Sequence, residues 1–160
     1  MKITKSTLKA LIKEELKSLL TEATRSQIGI ELPNGKVISV YCHYDGYPEF
    51  VGKLLKKHYN APNKVKELLK VGKQGISTLG KIVGKKHDFD TPYKEIQKLG
   101  YTTFYGRDRG EKGNMTSNWK DRDKVKFDSG EEYAYIYNLK EKQWYYKSRY
   151  SNPQDWTKLK

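Results

Sequence analysis

The stretch SQIGIELPNGKVISVYCHY, residues 26–44, constrains the fold more than any other part of the chain. Successive strand residues point to opposite faces, so Ile28, Ile30 and Leu32 share one face of a strand. Pro33, Asn34 and Gly35 then supply turn chemistry, because Asn-Gly tolerates the positive φ of a tight hairpin. The return strand is predicted from about Lys36 to His43, largely buried through Val37, Ile38 and Val40. A second hairpin is legible in EEYAYIYNLKEKQWYYKS, residues 131–148. Its Tyr133, Tyr135 and Tyr137 share a face, and Trp144 and Tyr146 return along it.

Between the hairpins the period changes. Asp45-Gly46 turns the chain, and Pro48 opens a helix, PEFVGKLLKKHYN, with Pro in its first turn and Phe50, Val51, Leu54, Leu55 and His58 inward. PNKVKELLKVG is a second helix, with Val65, Leu68 and Leu69 inward and Gly72 past its end. Tyr101–Tyr105 is a strand by composition. GRDRGEKGNMTSNWKDRD, residues 106–123, reads as a polar loop of the kind that carries function or mobility. The last residues read as a tail with Trp156 as its docking residue. The sum is an α+β domain over 23–160: an antiparallel sheet of about five strands with two or three helices on one face.

Bulk composition agrees with a small folded domain under a very polar surface. The 160 residues are only 36% hydrophobic, and mean hydropathy is −0.91. Twenty aromatic residues, 13 of them Tyr, still offer enough area to bury. The formal net charge is +13, a field that favours anionic partners. Lysine dominates and there are five arginines, which suits diffuse phosphate attraction more than bidentate base reading. Cys42 is the one cysteine, so no internal disulfide forms. No apolar run reaches membrane-spanning length, and no membrane association is expected.

Residues 1–22, MKITKSTLKALIKEELKSLLTE, differ from the rest. Ile3, Leu8, Leu11, Ile12, Leu16, Leu19 and Leu20 recur at helical spacing, with Lys5, Lys9, Lys13 and Lys17 on another face. The segment is read as a separate amphipathic helix that packs on the main domain or on its own copy in a homo-oligomer. It also resembles the capsid-targeting leaders of internal head proteins from T-even-like tailed phages. That resemblance implies cleavage after Leu20-Thr21-Glu22 by a prohead protease and packaging in the phage head. The remaining chain would carry 27 basic and 16 acidic residues, 27 − 16 = +11.

YCHYDGYPE at 41–49 and YGRDRGE at 105–111, with EEYAYIYN, are similar to signatures of a set of small, uncharacterised phage and prophage proteins. Those proteins more often carry Trp where this chain has Tyr44. The resemblance spans most of residues 25–147. It implies mobile-element origin and no particular reaction; the expected place of action is the host cytoplasm.

Several residues are candidates for chemistry. Cys42 and His43 are neighbours on a strand and face opposite ways, so they make no thiolate–imidazole pair and Cys42 reads as core. His43 and Asp45 share a face, but a metal site needs a third ligand from His58, His87, Asp88, Asp108 or Glu111. Asp45 also suits a turn whose carboxylate caps the following helix. GKQGISTLGK lacks the spacing of a phosphate loop. Neither a metal nor a cofactor is assigned. The preferred site is a pocket of Tyr41, His43, Tyr44, Asp45, Tyr47 and Tyr105 with Arg107 and Arg109, in which tyrosine faces stack a base and arginines hold phosphates.

Four functions compete, one of them inhibition of a host enzyme by surface mimicry, which leaves no mark on sequence. The first is a phage-encoded, non-enzymatic binding protein that counters host defence by capturing an anionic nucleotide, such as a cyclic-nucleotide immune signal. The second is a DNA-binding internal head protein, packaged and ejected with the genome. The third is a metal-dependent nuclease or phosphodiesterase using His43, Asp45, Asp108 and Glu111.

Overall fold

The computed structural model describes residues 4–5, 23–151 and 155–160. The expected leader helix and its cleavage point therefore lie outside the described residues, apart from Thr4 and Lys5. Ser26–Glu31 (β1) and Val37–Cys42 (β2) form the first hairpin, with Ile28 opposite Val40 and Ile30 opposite Ile38. Tyr133–Asn138 (β6) and Gln143–Ser148 (β7) form the second, with Tyr135 opposite Tyr146 and Tyr137 opposite Trp144.

The five-stranded antiparallel sheet does not hold. Among the described residues the sheet has eight strands and is mixed. The two hairpins join through β1 and β6, which run parallel with Ser26 opposite Tyr133. Ile76–Thr78 (β3) lies parallel to the end of β2, with Cys42 opposite Ile76. Thr103–Phe104 (β4) pairs with β3, Thr116–Trp119 (β5) with β2, and Thr157–Lys158 (β8) with β7. Strands of two or three residues are too short to show a period of two. The β1–β6 pairing links segments 107 positions apart (133 − 26), which no local pattern encodes. The class remains α+β, with four short helices among the described residues.

A helical turn and two helices pack on one sheet face. A π-helical turn, Pro48–Gly52, runs directly into Lys53–His58 (α1), and Pro62–Val71 (α2) follows. Leu55, Val65 and Leu68 are fully buried against Ile28, Val40, Cys42, Tyr135 and Tyr137. Tyr93–Leu99 (α3) precedes β4, and Tyr105–Arg109 (α4) follows it. Tyr105 thus opens a helix; the expected strand over 101–105 shrinks to Thr103–Phe104.

The opposite face carries a smaller cluster of Val37, Val125, Ala134 and Ile136, against which Trp119, Phe127 and Trp156 pack. Its interior is partly polar. Gln27 donates to Glu131 (3.3 Å) and to the Lys126 carbonyl (2.8 Å). Ser39 donates to Gln27 (2.7 Å), and the Trp119 indole donates to Ser39 (2.9 Å).

Candidate functional site

The site begins where β2 changes neighbours. One edge of β2 is occupied by β1 throughout. On the other, β5 pairs with Val37–Val40, and the Tyr41 amide donates to Met115 (3.2 Å). Beyond that point the His43 and Tyr44 amides donate to the Ile76 and Ser77 carbonyls of β3 (2.9 and 3.0 Å). A change of strand neighbour at the carboxyl end of a strand opens a crevice, the usual place for a ligand in open sheets with helical crossovers.

Aromatic rings gather where β2 changes neighbours. Tyr41 and His43 project from the same face, two residues apart on the strand. The Tyr41 hydroxyl lies 2.6 Å from His43 Nδ1. Tyr44 meets the His43 ring edge-to-face at 4.4 Å between centroids, and Tyr105 approaches it at 6.3 Å. The structure therefore brings Tyr41, His43, Tyr44 and Tyr105 together, and with them the two segments YCHYDGYPE and YGRDRGE. Tyr44 is 41% exposed, so ring surface is open to a ligand. Burial pushes the Tyr41 phenol up to about 12, with the Arg25 charge opposing. Burial also raises Tyr105, against the pull of Ser77. Both phenols are neutral donors at physiological pH.

Asp45 and Gly46 shape the turn. Asp45 sits at φ 55, a left-handed conformation that Asp tolerates better than most residues. Tyr47 holds the N-cap position of the following turn, and the Asp45 carbonyl accepts from Val51 (3.3 Å). Gly46 is required, since its amide donates to Thr24 (2.7 Å) and a Cβ there would fall 2.6 Å from the Thr24 oxygen. The Tyr135 hydroxyl donates to the Gly46 carbonyl (2.7 Å), fixing the turn from the core. Tyr47 lies at the surface 6.4 Å from the Phe50 ring; burial first, and then the Asp45 charge, raise its pKa.

The two arginines part company. Arg107 donates to the carbonyls of Val83 (3.1 Å), Gly84 (2.8 Å) and Thr102 (3.0 Å) and to the Asp108 carboxylate (2.9 and 3.1 Å). Asp108 is buried and also accepts from the amides of Phe104 (2.8 Å) and His87 (3.1 Å). Arg107 and Asp108 form a structural clamp that commits all but one Nη1–H of the guanidinium to protein partners. Arg109 is exposed and lies 4.7 Å over the ring of Phe89, itself 71% exposed.

Sequence reasoning passed over what lies beneath Tyr41. Gln27, Ser39, Tyr41, Met115 and Glu131 help to line a polar cavity of about 100 Å³. Burial raises the Glu131 carboxyl above its ordinary value. The available signal was the run of polar side chains at Gln27, Ser39 and Tyr41 on the strand face that a fully buried reading ignores. Arg25 had no signal, since it reaches Tyr41 and Gly130 only through the fold.

Among the described residues no three His, Cys, Asp or Glu side chains gather as metal ligands. His87 and Asp108 do meet, at 3.7 Å, with the carboxylate committed to the clamp. No described helix is long and apolar enough to cross a membrane. Comparison with known proteins gave no matching family model, no matching curated relative and no matching solved structure.

Proposed function

We propose that this protein is a non-enzymatic binding module for an anionic nucleotide-type ligand. The observation that carries the reading is the set of ring faces of His43, Tyr44 and Tyr105 at the crevice where β2 changes neighbours. A base stacks on such faces at about 1–3 kcal/mol each. The +13 charge raises the local concentration of an anion. Arg109 serves the phosphates and Arg107 the scaffold. The resemblance to small phage and prophage proteins adds the biological setting, capture of a nucleotide immune signal in the host cytoplasm.

Calorimetric titration with a panel of linear and cyclic nucleotides tests this. Tyr105→Ala and Tyr44→Ala weaken binding about tenfold or more while the melting temperature changes little. The ligand is recovered intact. Nucleotide consumption that depends on a divalent ion and is lost in Asp45→Asn would replace this reading with the phosphodiesterase one.

A second reading, a packaged DNA-binding protein, draws on the ten lysines and two acidic residues between Glu49 and Lys86. It requires duplex binding that falls steeply with salt and ignores Tyr105→Ala.

A further inference from the structure

A cleft of about 350 Å³ opens away from the aromatic rim, between the end of α1, the side of α2 and the segment after β3. His58 and Tyr59 form one wall, Lys64 and Glu67 a second, and Lys81 to Gly84 a third. The Lys57 charge joins those of Lys64 and Lys81 at the His58 ring. Glu67 is the one carboxylate in the lining. The ion pairs of the described residues are His87–Asp108, Arg107–Asp108 and Arg122–Glu31, so these lysines hold no acidic partner. Three like charges outnumber the single Glu67 carboxylate, and an anion placed among them relieves their repulsion.

The walls are held in place. Tyr59 donates its hydroxyl to the Gly80 carbonyl (2.7 Å), just before Lys81. The Arg107 guanidinium grips the carbonyls of Val83 and Gly84 from behind. Lys81 therefore springs from anchored backbone, and Lys64 from the first turn of a ten-residue helix. Tyr59 and Val83 are buried and add apolar wall, which strengthens charge interactions near them.

We propose that this cleft is a second binding site, specific for phosphate groups, in which Lys64, Lys81 and His58 line the place of the anion and the neighbouring Lys57 adds to the charge. The site does not rest on the nucleotide reading of the aromatic rim. Burial, then Lys57, Lys81 and Lys64 in that order, lower the free His58 ring below its ordinary value; Glu67 on α2 is the facing carboxylate. A bound phosphate opposes all three lysines, so it raises the His58 pKa, and affinity strengthens as pH falls through the imidazole range.

The test uses the full chain. The His58 ring resonances are followed by NMR during titration with inorganic pyrophosphate and, separately, with a single-stranded deoxyoligonucleotide. Saturable shifts at His58 and a raised His58 pKa are expected with pyrophosphate. Lys64→Ser with Lys81→Ser weakens binding about tenfold or more, whereas Lys120→Ser with Lys140→Ser, which removes the same charge elsewhere, leaves it within about twofold. All four lysines are exposed, so both double variants fold. Response to pyrophosphate identifies free phosphate as sufficient; response to the oligonucleotide alone, with the same dependence on Lys64 and Lys81, identifies a nucleic-acid backbone as the source. Equal losses in the two double variants, or no shift at His58 with either probe, overturn the proposal. Tyr105→Ala leaves this titration unchanged, which separates it from the aromatic site.

Discussion

The two faces of the sheet are built from alternate residues of the same strands and are unlike. On the helix-covered face, Ile28, Ile30, Val40 and Cys42 meet Leu55, Val65, Leu68 and five buried aromatic rings with almost no polar content. On the other, Gln27, Ser39 and Glu131 share space with a four-residue apolar cluster. Tyr41 and His43 belong to this polar side, while Cys42 between them belongs to the apolar one. The difference teaches that stability and recognition are divided by strand parity: a residue's position, odd or even, decides which task it serves.

That division breaks most visibly in the helix face. Leu55→Ala, at a fully buried site, is expected to cost about 2–5 kcal/mol in chemical denaturation. A loss below about 1 kcal/mol would mean the helices are not the principal cover of the sheet. Ser39→Ala should cost about 1–3 kcal/mol, because it strands the Gln27 carbonyl oxygen and the Trp119 indole in a buried setting. Indole fluorescence should shift with it, and an unchanged spectrum would place Trp119 elsewhere.

Glu131 sharpens the comparison through pH. Its carboxyl is raised in the folded protein, so between its ordinary value of 4.5 and the folded one the native state holds more proton than the unfolded chain. Its contribution to stability is then fully present below the ordinary value and lost as pH rises through the folded value. Urea unfolding from about pH 4 to about pH 7 should show this loss in the native sequence and not in Glu131→Gln. Identical pH slopes would show that the cavity is wetter than its lining implies. The smallest effect concerns Cys42. Its thiol is pushed up to about 12 by burial, so a disulfide reagent at mildly alkaline pH should label the folded chain roughly 10³-fold more slowly than the unfolded one. Rapid labelling would open the helix face to solvent.

The sequence shows local features well and lateral ones poorly. Asn34-Gly35, the alternating tyrosines of β6 and the Pro48 helix start each act within a few residues, and each appears where read. Cys42 is buried, as its flanking alternation implies. Residues 106–123 read as one polar loop, yet contain the end of α4 and all of β5, whose TSNW shows no apolar alternation. Arg107 looked like a phosphate ligand since arginine beside glycine and aspartate often is one. Two of its partners are backbone carbonyls more than twenty positions earlier, and a carbonyl leaves no mark on sequence. Of the candidate site, the aromatic members were legible because they cluster in two short motifs. Glu131 and the lysine cleft were not, because only the folded chain assembles them.

The parallel union of β1 and β6 has a bearing on biosynthesis. A growing chain completes β1 and β2 early, yet β1 waits for its second neighbour until Tyr133–Asn138 has been made. For most of translation Ile28 and Ile30 lie beside an open strand edge, a template for pairing with the wrong chain. The order of synthesis therefore sets a window of vulnerability, closed by the second hairpin. A message truncated before codon 133 would yield an aggregating product even though every residue of the first hairpin, both lysine-rich helices and the aromatic rim had already been translated.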